Sequence, residues 1–189
     1  MPLAPPAIAL TLGTNLASTG HIGLAMPKFA QAVALGVSFW STKATVSVTG
    51  AGAAGTGVAT IPLIVPQPLL LVNLQTSFLT FGITGFFSPL TALGLANGLS
   101  LSLVQGIIFA TVVGVGSGAG VAKVVSPPAY LAFQEAFAVF GMVGTGAAQM
   151  ALALGATFDK TFAAFLIPIP IVGPAGPVPG VGTGTGKII

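Results

Sequence analysis

Leu70, Leu74, Phe78 and Phe81 fall at helical spacing, while Asn73, Gln75 and Ser77 stand mostly off that line. Apolar residues recurring every three or four positions define one face of a helix, so an amphipathic helix with uncharged polar edges is predicted over 68–81. Pro68 suits its first turn, where the missing N–H costs nothing. Gly82 and Gly85 then break the pattern, because glycine takes positive φ cheaply and often closes helices. A second apolar segment, FFSPLTALGLANGLSLSLV over 86–104, completes a predicted helical hairpin. The stretch ATVSVTG at 44–50 has another texture: it is β-branched and alternating, which predicts a strand. The Gly-x-Gly positions after it invite turns or close backbone contact.

The same succession occurs three times. Pro6, Pro68 and Pro127 correspond, and so do Gly20, Gly82 and Gly141, then Gly23, Gly85 and Gly144. The later stretches also match at Gln75 and Gln134, Phe78 and Phe137, Phe81 and Phe140, and at the pairs Ala92-Leu93 and Ala151-Leu152. Glycine runs with the pairs Gly55/Gly57, Gly118/Gly120 and Gly184/Gly186 punctuate the chain. The ordered set predicts three tandem units over 1–61, 62–125 and 126–189, each a helical hairpin followed by an extended or hairpin strand segment. The expected fold class is therefore mainly α with glycine-rich β segments and pseudo-threefold organisation.

Composition then restricts where such a chain can live. Charged residues make up 4% of the 189 positions, far below the roughly 25% usual for soluble domains. Arginine and cysteine are absent, and no formal charge occurs between Lys43 and Lys123. A surface this poor in charge associates or precipitates unless lipid or other protein covers it. The net charge of +3 is spread over scattered lysines with no arginine fork, which argues against nucleic-acid binding. Met1 to Leu10 lacks the basic stretch of a secretory leader. Without cysteine there is neither a disulfide nor a thiolate metal site.

Candidate chemistry is sparse. The ending VGTGTGKII suggests a phosphate loop, but that motif needs glycine where Val181 stands and Ser or Thr where Ile188 stands, followed by a helix. Acid–base groups are limited to His21, Glu135 and Asp159, which lie in different units or halves of the repeat pattern. No enzymatic activity, cofactor or metal is expected. Glu135, inside YLAFQEAFAVF, would be a proton-site candidate if its helix entered lipid. Thr14 and Thr76 at the corresponding positions favour a polar-edge or partner-facing role instead. His21 is expected in a turn, and Asp159-Lys160 as a water-exposed charge pair at a helix end. Trp40 and Tyr130 fit either a headgroup level or buried contacts. Lys43, Lys123 and Lys187 each lie close to a glycine-rich stretch, and with Glu135 they are the candidate interaction residues.

The stretches GAGAAGTG, GVGSGAG and GVGTGTGKII between apolar helices resemble the small glycine-rich virion proteins of tailed bacteriophages. This resemblance is one of composition and repeat pattern across the chain. It implies a non-enzymatic structural protein of a tail tip or baseplate hub, on a threefold axis, bound to other proteins of the assembly and touching the host membrane. The glycine-rich strands would then add to a partner's sheet edge. The other reading is a multipass membrane protein that forms a pore or carries a solute, with localisation in the membrane rather than the virion. Its difficulty is length, since 14 residues over 68–81 make a helix of about 21 Å against a hydrocarbon core of about 30 Å. The mitochondrial carriers also have three two-helix repeats, but the charged signature that follows their prolines is missing after Pro6, Pro68 and Pro127.

Overall fold

The computed structural model describes residues 4–41, 45–51, 54–60, 68–104, 107–113, 117–125, 128–163, 167–172 and 181–187. The chain is mainly helical. Six helices are described: α1 Pro5–Ser18, α2 Ala25–Ser41, α3 Pro68–Thr80, α4 Ser88–Val104, α5 Ala129–Val139 and α6 Thr145–Ala163. Between and after them run β1 Thr45–Ala51, β2 Ala54–Thr60, β3 Ile107–Val113, β4 Ser117–Val125, β5 Ile167–Val172 and β6 Val181–Lys187. Two helices followed by two strands thus occur three times in succession.

Each helical hairpin turns on a glycine pair, as the spacing predicts. Gly20, Gly82 and Gly141 have φ of 85°, 70° and 72°, in the left-handed region where a Cβ is unfavourable. The amides beyond them, of His21, Ile83 and Met142, donate back to the carbonyls of Leu16, Phe78 and Phe137 at 2.8, 2.8 and 2.9 Å. The glycine amides themselves donate to Ala17, Leu79 and Ala138. This double closure satisfies carbonyls that a helix end would otherwise leave unpaired. It also anchors each turn on a buried side chain, since Leu16, Phe78 and Phe137 all belong to the core.

The helices close into a ring. Each packs against its neighbours in sequence, and α6 returns to α1. At that last seam Asn15 Nδ2 donates to Thr157 Oγ1 at 2.9 Å, while the Thr157 hydroxyl donates to the Ala153 carbonyl. One core draws on every helix, with Leu12, Leu74, Trp40, Leu99, Phe133 and Phe158 deep inside it. Leu70, Leu74 and Phe78 are buried as their spacing predicts, and Phe81 is packed partly against them. Ser77 is the exception, a polar position that proves fully buried. Other core hydroxyls are accommodated by their own helices: Ser41, Ser100 and Ser102 donate to carbonyls three or four residues back. Such local bonds let polar side chains enter an apolar core without a distant partner.

Close approach is the second device of this packing. A Cβ on Gly155 of α6 would lie 2.5 Å from the Tyr130 amide nitrogen of α5, and Gly98 of α4 faces the ring of Phe133. Small residues at these crossings let helix axes come nearer than side chains would allow.

The strands form a closed barrel in the order β1-β2-β3-β4-β5-β6, with every pairing antiparallel and β6 returning to β1. Closure corrects one expectation from the sequence. Because each described strand has a neighbour on both sides, the barrel leaves little free edge for a partner's sheet; its shortest seam joins β5 to β6, pairing Ile171 with Gly184 and Val172 with Thr183. The ending read as a resemblance to a phosphate loop is β6, whose Gly182, Gly184 and Gly186 pair with Gly50, Val48 and Val46.

Candidate interaction surface

The three acid–base residues occupy separate places. His21 lies in the first hairpin turn, its Nδ1 3.3 Å from the Thr19 hydroxyl. Glu135 is exposed on α5. Asp159 does not act as a water-exposed charge pair with Lys160. Its Oδ1 accepts the Ala129 N–H at 3.0 Å and so caps the start of α5 from the neighbouring helix. A carboxylate there satisfies an orphan amide and meets the positive end of the helix dipole. Replacing Asp159 by Ala is expected to cost about 1 kcal/mol, and Asn should recover much of it; thermal melts of the three proteins, followed by circular dichroism, check the order. Among the described residues no group of three His, Cys, Asp or Glu side chains comes together.

The candidate lysines are placed by backbone register. Lys187 pairs with Thr45, the first residue of the strand that follows α2, and Lys123 pairs with Phe109 near the start of the strand that follows α4. Both positions therefore belong to the end of the barrel that adjoins the helices. Lys160 stands in the last turn of α6, at the same level. Lys43 lies outside the described residues. Trp40 is not at an aqueous boundary: it is 1% exposed, and its Nε1 has no hydrogen-bond partner among the described residues. Tyr130 is half-buried against Gly155.

Glu135 sits in an apolar stripe. Leu131 and Val139, one turn to either side, are both exposed. On α1 and α3 the same stripe holds Leu10 with Thr14 and Val72 with Thr76, and both threonine hydroxyls donate to the carbonyl four residues back, at 2.9 and 2.8 Å. These hydroxyls thus need little from solvent, which suits a covered surface. A groove of about 890 Å³ runs along α1 and α2, lined by Ala9, Gly13, Ala17, Met26, Ala30 and Phe81 among others.

The turns show what reading the sequence missed. Phe86 and Phe87, assigned by pattern to a helix over 86–104, precede α4 and stand exposed in the turn. Ile22 and Leu24 flank Gly23 in the first turn, and Val143 precedes Gly144 in the third, all exposed. The signal available was an apolar side chain beside the second glycine of each pair, at φ 136°, 132° and 105°. Among the described residues no helix is long and apolar enough to cross a membrane. Comparison with protein-family models, with curated proteins and with solved structures found no match.

Proposed function

We propose that the protein is a non-enzymatic structural component of a symmetric assembly, a tail-tip or baseplate-hub protein of a tailed bacteriophage that sits on a threefold axis and touches the host membrane. In this reading 1–61, 62–125 and 126–189 are tandem repeats with glycine-rich β segments, related by a pseudo-threefold axis. The observation that carries it is the recurrence of one hairpin closure. The same two backbone bonds follow Gly20, Gly82 and Gly141, and each hairpin leads to two strands in a ring of six. Three similar units closed around one axis match a threefold partner, while their differences single out one orientation of that partner. The exposed apolar stripes and the low charge fit a body enclosed by other proteins.

The chain expressed alone is expected to aggregate or to require detergent, yet to copurify with intact particles through a mild detergent wash. Release by that wash, with recovery of a stable pore-forming oligomer in micelles, would overturn the proposal in favour of a membrane pore or carrier.

A further inference from the structure

The three hairpin turns lie at the end of the helical ring remote from the barrel. α2 runs from the first turn to Ser41, just before β1, and its 17 residues separate turn and barrel by about 25 Å. The second helices of the other hairpins likewise run from turn to barrel. At this far end Ile22, Leu24, Phe86, Phe87 and Val143 are 71–96% exposed, with the two phenylalanine rings edge to face at 5.4 Å. Large apolar side chains held this far into water do not form the compact buried centre that a protein interface uses, although Ile22 also borders the groove along α1 and α2. They suit a deformable apolar phase, into which each tip can sink on its own.

Charge at the tips selects the kind of surface. The chain's two carboxylates are elsewhere: Asp159 caps α5 from the barrel side, and Glu135 stands six residues before Gly141, about 9 Å along the helix. The titratable groups nearest the first turn are His21 within it and Lys28, exposed on the first turn of α2. The first tip, free of carboxylate and flanked by Lys28, complements anionic headgroups over an acyl layer, while the second and third tips contribute apolar side chains.

We propose that these three turns are a tripod of apolar tips that seats the protein on an anionic lipid surface, with Ile22, Leu24, Phe86, Phe87 and Val143 entering the acyl boundary and Lys28 meeting the headgroups. This deepens, and rests on, the membrane contact in the proposed function. The chain's freedom from cysteine makes the test direct. The full chain carries an environment-sensitive dye on L24C, F86C or V143C, with K160C at the barrel level as the reference; T84C replaces F86C if helix content falls.

On vesicles of phosphatidylcholine and phosphatidylglycerol, emission at all three tips is expected to rise at least about twofold while position 160 stays level. K28Q should weaken partitioning to these vesicles about fivefold and leave pure phosphatidylcholine unaffected. An equal rise at position 160 would reveal unspecific adsorption and overturn the proposal. So would unchanged tips on vesicles, including the case in which they respond only when other particle proteins are added. Copurification with particles is scored separately, so loss of lipid contact and loss of the assembly role can be told apart.

Discussion

Replacing Phe133 by alanine is expected to destabilise the protein by about 3–5 kcal/mol, the largest effect of any single change considered. Phe133 is fully buried on α5 and joins three helices: its ring stacks on Phe158 of α6 at 5.8 Å, meets Phe137 at 6.3 Å, and fills the space left by Gly98 on α4. Truncation removes the transfer energy of the ring and leaves a cavity that the surrounding helices, tied into a closed ring, cannot collapse to fill. Leu at this position should recover part of the loss, because it restores volume though not the aromatic contact. Unfolding of the chain in mild detergent, followed by circular dichroism, tests the ranking; an alanine variant as stable as the parent would refute the packing described.

The second large effect concerns Gly155. A methyl group there would lie 2.5–2.6 Å from the Tyr130 amide nitrogen, Cα and Cβ, so backbone must move rather than a flexible side-chain end. Gly155→Ala is therefore expected to cost about 2–3 kcal/mol even though alanine is the better helix former. Gly13 supplies the opposite case, since a Cβ on it meets nothing within 4 Å. Gly13→Ala should be neutral or stabilise by up to about 1 kcal/mol. Opposite signs from one substitution type in one fold, measured by the same melts, isolate helix approach from helix propensity.

These two sites mark where the sequence is legible and where it is not. The hairpins can be read because their causes are local: apolar spacing over Leu70, Leu74 and Phe78, proline at the start and glycine at the stop. Gly155 and Gly98 cannot be told from other helical glycines, because the reason for each is a backbone or ring from another helix. Ser77 misleads for the same reason, as helical position and not polarity decides its burial. The cap that Asp159 gives to Ala129 crosses thirty positions of sequence and leaves no pattern in either segment. Ring closure is still less legible, because antiparallel pairing of β1 with β6 depends on where the intervening helices deliver those strands. The interaction surface divides likewise. Glu135 is identifiable as an isolated carboxylate among apolar residues, but Phe86 and Phe87 continue an apolar run and show themselves only when the turn is built.

Both rings are completed by pairings of equal span. Asn15 and Thr157 are 142 positions apart, and so are the register partners Thr45 and Lys187. During synthesis the early strands must therefore wait while most of the chain emerges. Until 181–187 arrives, β1 and β5 are open edges of the kind that recruit other chains into aggregates. Loop-closure entropy over so long a span also makes this step slow. The arrival of 181–187 is thus the step on which the fate of the nascent sheet turns: before it β1 and β5 each lack their second neighbour, and after it both have one.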